Sequence, residues 1–257
     1  MANKTQAQIR REVRNFYKIS GAQSKAFGAD LKRIYSKIFN KTTRGINREN
    51  YIERMGYIIQ GMKDLGLNDS LKELKKNFTA QYKDAEEYYR NKLDVPRNEP
   101  SFGLGKEEVA ALIRTRLDAI GNSIFDKIPE IQSIIQTQII TGEYNWSALD
   151  NLADDYGGET ETITKTAMAT FYRVVNVGTS TAAGIYLFYY EGPEDAKNRD
   201  FCFDLLQKDP PIYTLDEISK MDNDQDLDVF TSGGGWNCRH QWLGVTEEEA
   251  ESWGYQG

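Results

Sequence analysis

Two thiols and the sole imidazole of this 257-residue chain, Cys202, Cys238 and His240, are the side chains best suited to chemistry. Cys238 and His240 are two residues apart, so on a β-strand both would face the same way. With Cys202 they make three candidate zinc ligands, and Asp195 or Asp200 is the nearest acid for a fourth. The spacing matches no common zinc module. The reading preferred over zinc has no cofactor, both cysteines as small buried apolar side chains, and His240 as a hydrogen-bonding bracket. Covalent catalysis needs a base held against its nucleophile. A Cys238–His240 dyad is the sole candidate, and neighbours two apart on a strand are not expected to meet in that geometry. The acidic run from Asp222 through Asp224 and Asp226 to Asp228 opens like a calcium-binding EF-hand loop. It fails at the sixth position, which needs glycine and has Leu227, and at the twelfth, which needs glutamate and has Gly233. With no P-loop, dinucleotide fingerprint or H-E-x-x-H, no catalytic residue is assigned and the chain is not expected to be an enzyme.

Two short strands should position these residues. Ile185 to Tyr190 is aromatic, β-branched and apolar on both faces, as a buried strand is. Gly233 to Gly235 should turn the chain tightly and deliver Trp236 to Val245 as the second strand. Short helices are expected near Arg199–Gln207, after the T-x-x-E capping box of Thr214 and Glu217, and after that of Thr246 and Glu249. Before residue 180 the pattern is mainly helical. Ile9, Val13, Phe16 and Tyr17, then Phe27, Leu31, Ile34, Tyr35 and Ile38, recur at steps of three and four, with a restart expected at the S-x-x-Q box of Ser20 and Gln23. A helix through Tyr51 to Leu65 should end near Gly66. The next should start at Ser70, whose box uses Glu73, and stop before Pro96. The Pro- and Gly-containing stretch 94–105 has linker or long-loop composition. Helical patterns resume at Val109 to Ile124, bend at Ile128-Pro129, and return from Glu159 to Gly178. The expected fold is α+β and predominantly helical: an N-terminal helical bundle (a basic region at 1–95, continued by 106–158) and a small C-terminal α+β domain at 159–257 with a short antiparallel sheet.

Charge is divided along the chain. Residues 1–100 carry 21 Lys and Arg against 12 Asp and Glu, a net of +9, and the remainder carries 11 against 27, a net of −16. The basic extreme holds Arg10, Arg11, Arg14, Lys18, Lys32 and Arg33. Such a face favours a polyanion or an acidic protein surface, or is simply solvated. No apolar run approaches the roughly 20 residues that cross a bilayer, so no membrane partner is expected. The opening residues lack a secretory signal, and two cysteines are too few for a disulfide framework, which fits synthesis in a reducing cytoplasm.

Four pieces carry a resemblance: Tyr189-Tyr-Glu-Gly-Pro-Glu-Asp195, Asn198-Arg-Asp-Phe-Cys202, Tyr213-Thr-Leu-Asp-Glu-Ile218 and Gly234-Gly-Trp-Asn-Cys-Arg-His-Gln-Trp242. In this order they resemble the carboxy-terminal domain of the phage Mu protein F-like minor head proteins. That family's pattern is a strand, an aspartate, an arginine shortly before a cysteine, and a terminal H-x-N-C-R-C or N-C-R-H element. Asp195, Arg199, Cys202, Gly234, Trp236, Asn237, Cys238, Arg239, His240 and Trp242 carry the match here. In many members the histidine precedes the asparagine and a third cysteine ends the motif, whereas His240 holds that last place in this chain. Chemically the motif reads as a clasp in which Arg199 or Arg239 pairs with Asp195 or bridges loop carbonyls. The resemblance implies a virion protein inside the capsid, made in the bacterial host cytoplasm and bound to the portal, with the major capsid or scaffolding protein as further partners. Some members travel with the DNA, which would give the basic helices a non-specific nucleic-acid role in packaging or ejection. The alternative it leaves open is a phage-encoded effector enzyme, a nuclease or transferase toxin, carried in the virion.

Overall fold

A computed structural model of the chain describes residues 5–43, 50–97, 99, 102–142 and 146–257. The elements are α1 (Gln6–Thr43), α2 (Tyr51–Asp64), α3 (Leu67–Lys92), α4 (Lys106–Phe125), α5 (Ile128–Thr141), α6 (Trp146–Ala182), β1 (Leu187–Glu191), α7 (Asp200–Gln207), β2 (Ile212–Thr214), α8 (Leu215–Ser219), α9 (Val229–Ser232), β3 (Gln241–Val245) and α10 (Glu247–Ser252). The fold is α+β and predominantly helical, with one three-stranded antiparallel sheet near the carboxyl end. The fold has two compact units, each drawn from separated stretches: 1–21, 78–114 and 165–257 in one, and 22–77 and 115–164 in the other.

Several expected boundaries are corrected. Helix α1 runs unbroken through Ser20 and Gly21, because Ser20 and Ser24 are buried and continue the stripe from Val13 and Phe16 to Phe27 and Leu31. The Ser20 hydroxyl donates to the Tyr17 carbonyl at 3.4 Å instead of capping a new helix. Helix α3 likewise starts at Leu67, ahead of Ser70, whose hydroxyl donates to Asp30 at 3.1 Å while Glu73 pairs with Lys76. The preceding Gly66 has φ +105°, the left-handed conformation expected where α2 ends. Past α3 the described residues of 94–105 follow the long-loop alternative. Arg90 donates to the carbonyls of Pro96 and Glu99, and Tyr82 to that of Leu104, tying the segment back to the helix.

The unit of 22–77 and 115–164 contains helices only among its described residues. Phe27, Leu31, Ile34, Tyr35 and Ile38 from α1 are buried there, as are Ile131, Ile135 and Ile139 from α5. Tyr35 meets Tyr156 edge to face at 5.4 Å and donates its hydroxyl to the Ile124 carbonyl.

In the other unit the sheet order is β2-β1-β3, and β1 is central and antiparallel to both neighbours. Strand β2 has no counterpart among the expected elements. It has three residues, too few for alternation to register, and pairs Ile212 with Tyr189 and Tyr213 with Phe188. Both sheet faces are covered, which is why β1 is apolar on both sides. Phe188, Tyr190, Tyr213 and Trp242 pack with Cys202, Leu205, Ile218, Val229 and Cys238. On the opposite side Tyr189, Ile212, Leu243 and Val245 pack with Ile9 and Val13 of α1 and Ala250 of α10. The capping boxes of Thr214 with Glu217 and Thr246 with Glu249 form as expected and start α8 and α10.

Candidate functional site

The second expected strand begins five residues later than the sequence suggests. Trp236 to His240 form a turn ahead of β3, so the alternation argument for Cys238 and His240 does not hold. They converge for another reason. Gly233, Gly235 and Asn237 all have positive φ, a conformation open to glycine and tolerated by asparagine, and the resulting coil folds over one end of the sheet. Cys202 reaches the same spot from the first turn of α7. Its Sγ lies 3.8 Å from Cys238 Sγ, and Cys238 Sγ lies 3.8 Å from His240 Nδ1. The expectation that Cys238 and His240 would not meet is therefore corrected. All three are buried, at 2 to 4% exposure.

The cluster is built tightly. A Cβ on Gly234 would collide with Cys202 Sγ, and one on Gly192 would collide with the His240 ring. Tyr190 from β1 donates its hydroxyl to Cys202 Sγ at 3.4 Å and stacks its ring on His240 at 5.1 Å, 13° from parallel. Trp242 packs on Tyr190 and donates its indole N–H to the Val229 carbonyl at 3.0 Å. Cys238 Sγ accepts from the backbone N–H groups of Gly234 and His240 at 3.2 and 3.4 Å. Hydrogen bonding with Cys202, then with His240, together with the charge of Arg173, pulls the Cys238 thiol well below its ordinary value. The same contact with Cys238, and burial, push Cys202 up. Burial holds the Tyr190 phenol well above its ordinary value, so it remains a donor.

Arg173 is the residue that sequence reasoning missed. It projects from α6, is 1% exposed, and donates to the carbonyls of Thr231 at 2.8 Å, His240 at 2.7 Å and Cys238 at 3.3 Å. One guanidinium thus fastens the end of α9 and both sides of the Cys238–His240 turn. A signal was present: Arg173 is the single charged side chain between Lys165 and Glu191. A lone charge in so apolar a helix has to be matched by buried acceptors.

The other motif residues lie outward. Arg239 forms a two-pronged pair with Asp195, with Nη1 to Oδ2 at 2.6 Å, and its Nη2 also reaches Asn198 Oδ1 at 3.3 Å. Arg199 donates instead to the Trp236 carbonyl. The hydrogen bonds from Arg239 and from the Lys197 N–H hold the Asp195 carboxyl well below the usual carboxylate range. Trp236 is 60% exposed and Asn237 is also exposed.

Asp222 to Asp228 form a structured loop. Asp222 accepts from the Asp224 N–H, and Asp228 caps α9 by accepting from Thr231. The buried member is Asn223, whose amide donates to the carbonyls of Leu227 and Gly233 at 2.9 and 3.0 Å, so the loop braces the glycine turn. Among the described residues, the only grouping of three or more His, Cys, Asp or Glu with metal-ligand spacing is Cys202, Cys238 and His240, whose ligand atoms lie within 4.8 Å of one another.

The chain was compared with protein-family models, curated proteins and solved structures, and nothing matches.

The six basic positions separate by environment. Arg10 pairs with Glu191 at 3.3 Å and donates to Tyr189 Oη at 3.4 Å, so it belongs to the sheet's surroundings. Lys32 pairs with Asp154 and Arg33 with Asp30. Arg11, Arg14 and Lys18 are exposed on the first turns of α1. No described helix is long and apolar enough to cross a membrane.

Proposed function

We propose that this chain is a minor head protein of a tailed bacteriophage that docks at or near the portal inside the capsid and serves head morphogenesis and DNA packaging or delivery. One observation carries the reading. The four motif segments, spread from Tyr189 to Trp242, converge on one compact clasp in which every motif side chain has a positioning task or lies on the surface. A clasp that locks a small sheet makes a rigid docking module, and the resemblance supplies its partner. An effector enzyme is the less favoured reading. The nucleophile–base pair that the sequence offers, Cys238 and His240, is closed to substrate by burial.

The DNA role narrows to Arg11, Arg14 and Lys18, because Arg10, Lys32 and Arg33 already have acidic partners in their own units. Phosphate binding by three such side chains is sequence-blind and weakens with salt.

The test is proteomic analysis of purified heads from the phage or prophage that encodes the chain. A few copies per particle, and binding of the purified chain to isolated portal oligomers, are expected. Recovery only from the soluble lysate would overturn the proposal.

A further inference from the structure

We propose that Cys202, Cys238 and His240 bind a zinc ion that ties α7 to the turn before β3. Three observations on this cluster agree. First, tetrahedral zinc with Zn–S near 2.3 Å and Zn–N near 2.0 Å sets sulfur–sulfur and sulfur–nitrogen separations at roughly 3.8 and 3.6 Å. The observed separations are 3.8 Å for both Cys202–Cys238 and Cys238–His240. The three donors come from two elements that share no other covalent tie.

Second, hydrogen-bond donors converge on both sulfurs. Cys238 Sγ accepts two backbone N–H groups, and the Tyr190 hydroxyl donates to Cys202 Sγ. Donors converging on ligand atoms in this way orient a metal's thiolates and tune them. A pair of apolar thiols needs none of these.

Third, His240 is 2% exposed, its Nδ1 faces Cys238 Sγ, and its Nε2 has no protein partner. Nδ1 is therefore the ring nitrogen placed to coordinate beside Cys238, and the tight stacking of Tyr190 on the ring holds it there. Two thiolates neutralise a divalent cation, and binding releases both thiol protons to solvent. Among the described residues no acid joins the three donors, Asp195 being paired with Arg239, and burial of the cluster gives the ion a structural role.

The test uses the full chain, purified under reducing conditions without chelator. One zinc per chain is expected by elemental analysis. After chelator treatment, cobalt(II) should restore a thiolate-to-cobalt absorption band and the visible bands of tetrahedral cobalt, saturating at one equivalent and bleaching on addition of zinc. Cys202→Ala and Cys238→Ala should lose the band. His240→Gln should weaken cobalt binding by on the order of tenfold or more, since even loss of a ligand's outer partner costs that much. If these variants fail to fold, the cobalt titration of the unaltered chain still decides. A folded, reduced chain with two titratable thiols and no cobalt–thiolate band would overturn the proposal, as would a Cys202–Cys238 disulfide in freshly isolated protein. Neither result depends on whether the chain enters a virion.

Discussion

Residues 236–240 present two faces that differ in everything except their place in the sequence. Cys238 and His240 point inward, where Arg173, Tyr190 and two backbone N–H groups enclose them. Arg239, between them, points outward and pairs with a carboxylate that is 45% exposed, while Trp236 lies on the surface. As written, N-C-R-H is one motif, but its energetics belong to two environments. An exposed ion pair competes with water and is screened by salt. A buried guanidinium has no such competitor, and each carbonyl it serves is desolvated. The inner face should therefore hold the fold, leaving the outer face free to meet other molecules.

The sharpest way to break this comparison is to remove Arg173. Arg173→Leu leaves the carbonyls of Thr231, Cys238 and His240 without the donor that serves all three. A buried acceptor left without its donor costs about 1–3 kcal/mol, so the three together should cost about 3 kcal/mol or more. Urea denaturation should show the midpoint falling with little change in slope. A loss below about 1 kcal/mol, typical of a single ordinary hydrogen bond, would mean that the inner face does not depend on this side chain.

Much of this architecture is legible in the sequence, and the omissions share a cause. Local signals work: the capping boxes at Thr214 and Thr246, and the glycine turn at 233–235, are fixed by residues within a few positions of one another. The same signal misleads at Ser20 and Ser70, because tertiary contacts there override it. Ser20 lies in a buried stripe that favours continuing the helix, and Ser70 serves Asp30 instead. Strand β2 is invisible because three residues carry no period. Residue type alone singles out Cys202, Cys238 and His240, but the geometry of their cluster comes from positive-φ turns at Gly233, Gly235 and Asn237 and not from a strand. Arg173 escapes notice because it lies in α6, 58 to 67 residues before the carbonyls it serves.

The pair of Arg10 and Glu191 falls between the two faces, since the carboxylate is buried and the arginine is half exposed. Burial raises the Glu191 carboxyl above its ordinary value, while Arg10, Tyr189 and Arg14 oppose the shift and Glu194 adds to it. Arg10→Gln removes the largest opposing charge, so the folded-state value rises further. A carboxyl whose folded value lies above its unfolded value makes the folded state bind more protons, so stability falls as pH rises through that range. The variant should lose about 1 kcal/mol at neutral pH, at the upper end for a pair with one exposed partner, and the deficit should shrink as pH falls through the raised folded-state range of Glu191. A deficit that does not change with pH would show that Arg10 acts through packing alone.

Asp195→Asn probes the outer face directly and should have the smallest effect. It replaces the carboxylate that Arg239 grips with a neutral amide that still accepts a hydrogen bond. Because Arg239 holds the Asp195 carboxyl below the usual range, whatever stability the pair contributes is fully present above the ordinary carboxylate range and is lost progressively as pH falls from there through the lowered folded-state value. At neutral pH and 0.15 M salt the variant should unfold within error of the parent chain, because solvent already screens the pair. If the Asp195→Asn variant binds portal oligomers more weakly while unfolding normally, the outward face is a recognition surface. If it unfolds as readily as the Arg173→Leu variant, the two faces form a single cooperative clasp and the distinction between them fails.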